Sequence, residues 1–151
     1  MMKFIVDSML GRLARWLRLL GYDTLYHPEI EDRLLLRIAR EDDRILLTRD
    51  TNIIKVRGLQ KYFLLNENDP FEQIKTVIGA FNLKDFSIMS RCGICNSLLT
   101  KIPKEKAKGL VPEYVYHTSD NFKECSGCGK LYWNGTHPEK FRMKLAEVLN
   151  S

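Results

Sequence analysis

The sequence is poor in the side chains that nucleophilic enzymes use. It has four cysteines and three histidines among 151 residues, and His27, His117 and His137 stand apart from any serine or cysteine elbow. We therefore expect no catalytic triad. The chain also lacks a long hydrophobic run near its start, since Asp7 follows only three consecutive apolar residues. We expect neither a signal peptide nor a membrane span, no membrane partner and a cytoplasmic location.

Composition favours a globular protein with one basic region. A chain of 151 residues with 44% hydrophobic and 28% charged residues can form one domain, or one small domain and a second module held together by a bound metal ion. The net charge of +5 is uneven, because residues 1–88 carry 14 Lys and Arg against 13 Asp and Glu, whereas residues 89–151 carry 10 against 6. This surplus fits either a nucleic-acid-binding face or an ordinary solvated, lysine-rich surface.

The four cysteines form two CxxC motifs, Cys92 with Cys95 and Cys125 with Cys128. Two residues between paired thiolates allow both sulfur atoms to bind one tetrahedral zinc ion, and the intervening small residues permit the tight backbone. A redox CxxC or two disulfides are the alternatives, but neither motif lies in a thioredoxin-like βαβ pattern and nothing in the chain indicates export. The spacing predicts one structural zinc site.

Short apolar segments alternate with amphipathic ones over residues 1–88, which is typical of an α/β domain with a parallel sheet covered by helices. Strands are predicted at residues 3–6, 24–26, 44–48 and 62–65, and helices at residues 9–20, 30–40, 53–56 and 70–81. Ser8 and Asp69 are the expected N-caps of the first and last of these helices. In the second helix, four residues are expected to face the core: Leu34, Leu35, Ile38 and Ala39.

Residues 89–151 have a different sequence pattern, in which short segments lie between glycine, proline and cysteine residues. This pattern is typical of a small zinc ribbon, for which strands are predicted at residues 111–116 and 130–133. We therefore expect two domains, an α/β domain over residues 1–88 and a zinc ribbon domain over residues 89–151.

Three acids are candidates for a second metal site. Asp7 follows the first predicted strand, Asp50 follows the third, and Asp32 lies in the first turn of the second predicted helix. Ligands of parallel sheets bind at the carboxyl ends of strands, and converging carboxylates repel one another unless a cation such as Mg²⁺ or Mn²⁺ is present. Taken singly, each acid is better explained as a helix cap or a first-turn acid. Because two of them directly follow predicted strands, the metal site remains a hypothesis beside the capping explanation.

Arginines follow these acids in the sequence. Arg12, Arg15 and Arg18 recur at spacings of three, on the side of the helix roughly opposite its leucines. They are candidates to bind phosphates along a nucleic-acid strand, and an ordinary solvated face is the alternative. Arg49, beside Asp50, is a candidate either to steady a phosphate or to pair with a neighbouring acid.

Four stretches of the chain resemble the RNase domain found at the carboxyl end of the Mut-seven exonuclease, a PIN-like domain with a zinc ribbon. They read FIVDSMLGRLARWLRLLGYD (4–23), RILLTRD (44–50), RCGICN (91–96) and CSGCGKLYW (125–133), followed by Gly135 and His137. The resemblance covers nearly the whole chain. It implies a PIN-like α/β domain followed by a zinc ribbon.

The resemblance also implies a metal-dependent ribonuclease. PIN nucleases hold divalent metal with a cluster of acids, which correspond here to Asp7, Asp50 and Asp32. Many PIN domains have a fourth acid soon after the one that corresponds to Asp50, and here Asn52 stands two residues after Asp50. We expect RNA phosphodiester hydrolysis in which Mg²⁺ or Mn²⁺ on these acids activates a water molecule.

The ribbon is expected to position the RNA. Tyr132 and Trp133 follow the second CxxC motif and offer stacking planes between Lys123 and Lys130, although a place in the small core of the ribbon is the alternative for either ring. Two other functions remain open. One is a non-catalytic RNA-binding or ribosome-associated protein with relic acids, and the other is a toxin-type nuclease.

Overall fold

The computed structural model describes residues 2–56, 58–133 and 143–147, which form two sheets and their flanking helices. The first part of the chain contains Phe4–Val6 (β1), Gly11–Leu19 (α1), Thr24–Leu25 (β2), Asp32–Glu41 (α2), Ile45–Thr48 (β3), a 3₁₀ turn at Ile53–Lys55, Tyr62–Leu64 (β4) and Pro70–Phe81 (α3). The second part contains Leu99–Ile102 (β5), Lys104–Ala107 (α4), Glu113–Thr118 (α5), Phe122–Cys125 (β6) and Leu131–Trp133 (β7).

Strands β1 to β4 form a parallel sheet in the order β2-β1-β3-β4. Ile5 pairs with Leu25 on one side and with Leu46 on the other, and Leu47 pairs with Phe63. The chain leaves β1 toward β2 and then crosses back to β3, so the direction of the strand order reverses between β1 and β3. The carboxyl ends of strands at such a switch point form the ligand crevice of open α/β sheets. The predicted α/β fold with a parallel sheet is confirmed.

Both faces of this sheet are covered, so its central strands are apolar throughout. Phe4, Ile5 and Val6 are all fully buried. Because successive side chains point to opposite faces, Phe4 and Val6 pack with α1 and α3, whereas Ile5 and Leu46 pack with α2. Burial on two sides explains the run of three apolar residues that precedes Asp7.

The first turn of α1 differs from the prediction. The helix begins at Gly11 and Ser8 does not cap it, because a separate turn comes first, in which the Leu10 N–H donates to the Asp7 carbonyl oxygen at 3.1 Å. Leu10 is buried in the core beneath this turn. The turn therefore holds the backbone just after β1 at the carboxyl edge of the sheet.

Helix α3 begins as predicted. The Asp69 carboxylate accepts a hydrogen bond from the Glu72 N–H at 3.3 Å, and Pro70 is the first helical residue. Both are favoured at helix starts, since the side chain satisfies a free N–H and proline has none to satisfy.

The inward face of α2 is narrower than predicted. Leu35 and Ala39 are buried and Ile38 is half-buried, but Leu34 is 46% exposed. Residues four apart share a helix face, whereas adjacent residues lie about 100° apart around the axis. The face that meets β1 and β3 is centred on Leu35 and Ala39, so Leu34 turns toward solvent.

Strands β5, β6 and β7 form an antiparallel sheet, in which Ile102 pairs with Phe122 and Phe122 with Trp133. We call this sheet and its two cysteine motifs the ribbon. The strand predicted at residues 130–133 is confirmed as β7. The strand predicted at residues 111–116 is wrong, because Pro112 is followed by helix α5, which places Val115 in the small core of the ribbon.

A buried arginine joins the ribbon to the first sheet. Arg18, on α1, is only 5% exposed. Its Nε donates to the Thr24 carbonyl oxygen at 2.8 Å, and its Nη1 donates to the carbonyl oxygens of Gly93 at 3.1 Å and Ile94 at 2.9 Å. One guanidinium therefore bonds at once to strand β2 and to the first cysteine motif.

Asn96 forms the second bond across the same junction. Its side-chain oxygen accepts from the Thr24 N–H at 3.0 Å, and its Nδ2 donates to Asp23 at 2.7 Å. Asp23 also accepts from Arg44 at 2.8 Å. Asn96 has a φ of 73°, a left-handed conformation that asparagine tolerates better than most residues. The boundary predicted at residue 88 lies close to this junction, and the division into two domains stays a prediction.

We expect Arg18→Ala to lower the free energy of unfolding by about 3 kcal/mol, because three carbonyl oxygens lose a charged donor. Arg12→Ala is the matched control: it removes an exposed arginine from the same helix, and its effect should stay within about 0.5 kcal/mol. Urea unfolding monitored by circular dichroism measures both. Equal stability of the two variants would contradict the role of Arg18.

The junction should also respond to pH. Burial by itself would raise the pKa of Asp23, but hydrogen bonds from Arg44 and Asn96 outweigh it, so the pKa lies below its ordinary value. A carboxyl whose pKa is lower in the folded chain stabilises the fold above its unfolded pKa of about 3.9, and this contribution is lost as the pH falls through the lower folded value.

The free energy of unfolding should therefore decrease below about pH 4, and less steeply in Asp23→Asn than in wild type. Comparing the two proteins in urea at a series of pH values separates this effect from acid loss of metal, which both share. Identical slopes would rule out a contribution from Asp23.

Candidate functional site

The four cysteines converge in the ribbon. Their sulfur atoms all lie within 4.8 Å of one another, with 3.8 Å between Cys92 and Cys128 and 3.2 Å between Cys95 and Cys125. A tetrahedral zinc ion with Zn–S bonds of about 2.3 Å places its sulfur ligands about 3.8 Å apart. The cluster fits a structural zinc site, and zinc would serve there to hold the two motifs together.

Backbone and side-chain donors surround these sulfur atoms. The Ile94 N–H donates to Cys92 Sγ at 3.4 Å, and the Gly127 N–H donates to Cys125 Sγ at 3.3 Å. Hydrogen bonding by the Ser97 side chain and backbone lowers the pKa of Cys95 to about 6. These donors stabilise the thiolate form, which is the form that binds metal.

Tyr132 contacts this cysteine cluster. Its hydroxyl accepts from the Gly93 N–H at 3.2 Å and lies 3.0 Å from Cys92 Sγ. Burial, together with the hydrogen bond to Cys92, raises the pKa of Tyr132 well above its ordinary value. The hydroxyl therefore stays protonated and is oriented to donate to the Cys92 thiolate, a supporting role that the sequence analysis did not assign.

Trp133, the other expected stacking residue, is half-buried and packs against the small core around Phe122 and Val115. Of the two roles considered for Trp133, base stacking and a place in the small core of the ribbon, the structure places its side chain in the second. His137 and Gly135 lie outside the described residues.

Asp7 is held rigidly at the carboxyl edge of the parallel sheet. Its side chain is buried, and one carboxylate oxygen accepts from the Met9 N–H at 2.9 Å. The other oxygen accepts from the Thr48 hydroxyl at 2.5 Å and from the Arg49 N–H at 3.2 Å. Three donors, one just after β1 and two at the end of β3, thus fix this carboxylate.

Thr48 connects Asp7 to Asp50. Its fully buried hydroxyl donates to Asp7 and accepts from the Asp50 N–H at 3.0 Å. Asp50 in turn accepts from the Asn52 N–H at 2.8 Å through its side chain. We call Asp7, Thr48 and Asp50 the acid edge, and it lies at the switch point between β1 and β3. Sequence reasoning missed Thr48, whose only signal was its place as the last residue of a strand.

Asp32, the third candidate acid, is not part of the hydrogen bonds that join Asp7, Thr48 and Asp50. It is exposed in the first turn of α2. Within the described ranges, only the four cysteines form a group of three or more potential metal ligands whose atoms all lie within 4.8 Å of one another. Asp7, Asp32 and Asp50 are therefore not drawn together as closely as the cysteines.

The candidate arginines fall into three environments. Arg12 and Arg15 are exposed on α1, whereas Arg18 is buried in the junction, so Arg18 is not on the exposed face where the phosphate-binding hypothesis and its solvated-face alternative both place it. Its guanidinium is held by three carbonyl oxygens instead of facing solvent. Arg49 is half-buried beside the acid edge, and its Nε is buried with no acceptor among the described residues.

Comparison with known proteins supports a nuclease. The model of the Mut7-C RNAse domain matches residues 2–145, nearly the whole chain. The chain belongs to the Mut7-C RNAse domain family. No curated protein and no solved structure matches it. Membership indicates a ribonuclease-like function with RNA as the substrate. In the described part of this Mut7-C chain, no helix is long and apolar enough to cross a membrane.

Zinc binding by the four cysteines can be tested by measuring zinc content and hydrogen exchange. We expect one tightly bound zinc per chain in wild type, and little in Cys92→Ser, because four thiolates are needed to complete the site. Loss of zinc should also reduce hydrogen-exchange protection of the Thr24 N–H, which bonds to Asn96 beside the motif.

Elemental analysis and exchange mass spectrometry measure the two effects. Ser126→Ala, which changes a non-ligand in the second motif, should leave both at wild-type values. A zinc-free wild-type protein, prepared without chelator, would contradict the assignment.

Proposed function

We propose that this chain is a PIN-like, metal-dependent ribonuclease that hydrolyses RNA phosphodiester bonds at the acid edge. The observation that carries the proposal is the single hydrogen-bonded unit formed by Asp7, Thr48 and Asp50 at the switch point of the sheet. Family membership supports the reaction class. In this proposal residues 1–88 form the nuclease domain, and residues 89–151 form a zinc ribbon that orients the substrate.

The acids would hold Mg²⁺ or Mn²⁺, with Asp7 and Asp50 as inner ligands and Asp32 contributing from α2. Such an ion supplies activation of a water molecule and neutralisation of phosphate charge. The chain prepares for this by keeping Asp7 in one orientation, since each carboxylate oxygen accepts hydrogen bonds. A carboxylate oxygen has two lone pairs, so the oxygen that accepts only from the Met9 N–H keeps one for a metal ion.

Arg49 supports a place for the scissile phosphate. Its backbone N–H bonds to Asp7, and its buried Nε has no acceptor in the part of the chain that is described. A buried donor without an acceptor is costly, on the order of 1–3 kcal/mol. A phosphate oxygen is the natural acceptor for a guanidinium beside two acids that hold metal. Arg49 would thus steady the negative charge that develops on the phosphate.

Arg12 and Arg15 would bind flanking phosphates. Both are exposed on α1, which starts next to the acid edge, and neither is paired with a carboxylate of the described residues. Contacts of this kind position a nucleic acid without reading its sequence. The basic character of the chain, with a net charge of +5, acts in the same direction.

A non-catalytic RNA-binding protein is the second candidate. Two observations favour it: the carboxylates of Asp7 and Asp50 each bond to an N–H two residues ahead, as turn-forming residues do, and Asp32 does not join them in a tight cluster. Metal dependence separates the two candidates.

The test is cleavage of a mixed set of RNAs with and without Mn²⁺, comparing Asp7→Asn and Asp50→Asn with wild type. Each substitution should lower metal-stimulated cleavage by about a hundredfold or more, because the charge that holds the metal is lost. Asp43→Asn is the matched control: Asp43 precedes the same strand that Asp50 follows, at the opposite edge of the sheet.

Zinc content should remain unchanged in all three variants, which excludes loss of the ribbon as the cause. Full cleavage by the Asp7→Asn, Asp50→Asn double variant would refute the nuclease assignment. RNA binding by wild type without cleavage would favour the second candidate.

A further inference from the structure

The tip of the first cysteine motif presents an apolar side chain to solvent on a fixed backbone. Ile94 is 58% exposed. Its N–H donates to Cys92 Sγ at 3.4 Å, and its carbonyl oxygen accepts from the buried Arg18 at 2.9 Å. Because both backbone groups are held, the side chain is preorganised outside the core, so it can contact a ligand with little further loss of entropy.

This tip adjoins the arginine face of α1. A Cβ on Gly93 would lie 3.1 Å from Arg15 Cγ, so the stem of Arg15 packs directly over Gly93. Arg12 lies one turn earlier on the helix, about 4.5 Å along its axis and closer to the acid edge. The two exposed arginines therefore lead from the acid edge to the cysteine motif.

A third cation lies near the same motif. Lys130 Nζ lies 5.3 Å from the centroid of the Tyr132 ring, and the hydroxyl of that ring bonds to the Gly93 N–H. Lys130 is exposed. We call Arg12, Arg15, Ile94 and Lys130 the knuckle track.

In the described part of the chain, acidic side chains do not neutralise the cations of this track. Among the residues that the structure describes, no carboxylate forms an ion pair with Arg12, Arg15 or Lys130. Asp23, the acid of the junction, is bonded to Arg44 and Asn96. A polyanion is the partner that this charge pattern fits.

We propose that the knuckle track is the path of single-stranded RNA leaving the acid edge, with phosphates on the three cations and an unpaired base against Ile94. This inference rests on the proposed function and extends it. An unpaired strand is required, because a base can contact an apolar side chain at the tip only when its face is free. Tyr132 and Trp133 were expected from the sequence to stack with bases. The Tyr132 hydroxyl instead contacts Cys92 Sγ, and the Trp133 ring packs against the small core of the ribbon.

The track has a consequence for substrate length. We expect a dinucleotide to occupy the acid edge without reaching Ile94, whereas a strand of about twelve nucleotides, within the usual site size of single-strand binders, should pass over it. Changes at Ile94 should therefore affect long unpaired RNA and leave the dinucleotide unaffected.

The experiment measures binding of a fluorescent twelve-nucleotide single strand by anisotropy, without added divalent metal and without chelator. Ile94→Ser should weaken binding about fivefold at an unchanged salt slope, and Ile94→Tyr should strengthen it severalfold, because aromatic rings stack better on bases. Arg15→Gln should weaken binding and flatten the salt slope by about 0.7. Leu110→Ser is the control, since Leu110 is 71% exposed in the loop that follows α4.

The outcomes separate this inference from the proposed function. Any of three results would overturn the track: wild-type affinity in both Ile94 variants, an effect of Leu110→Ser equal to that of Ile94→Ser, or equal binding of duplex and single-stranded RNA by wild type. Metal-dependent cleavage by wild type would still leave the nuclease assignment intact. A wild-type protein that neither binds nor cleaves RNA would overturn both.

Discussion

The packing of the buried Arg18 guanidinium between strand β2 and the first cysteine motif is the interaction on which the rest of the structure depends. It is a charged group with little exposure, and such a group is tolerated only when its donors are satisfied. The Thr24 carbonyl satisfies one donor and two carbonyls of the cysteine motif satisfy another. The first cysteine motif thereby becomes part of the support for the parallel sheet, in addition to its role within the ribbon.

This junction links the two functional regions physically. The acid edge is held by Thr48 between two neighbouring strand ends, and α1 starts immediately beyond Asp7 and runs back to Arg18. Arg15 lies along the same helix over the cysteine motif. In the function proposed here, a rigid helix sets the separation between the site of hydrolysis and the surface that carries the remaining RNA.

Several features could be predicted because their causes are local. Asp69 and Pro70 mark the start of α3, since capping depends on neighbouring residues alone. The two CxxC motifs indicated metal because the chemistry of thiolates restricts their use. The prediction of a strand at residues 111–116 was wrong, because the β-branched and aromatic residues there favour a strand locally, whereas packing of Val115 in the ribbon core stabilises a short helix after Pro112.

The sequence by itself determined the class of the fold, the family, the metal chemistry of the cysteines and the position of Asp7 and Asp50 after buried strands, because alternation of apolar segments and close spacing of ligands are visible along the chain. Only the tertiary structure decided that Arg18 is a buried tie while Arg15 faces solvent, that Thr48 joins the two acids, and that the Tyr132 hydroxyl meets Cys92. Those roles depend on partners up to 76 residues away, and no local pattern specifies which distant carbonyl, hydroxyl or sulfur a side chain will meet.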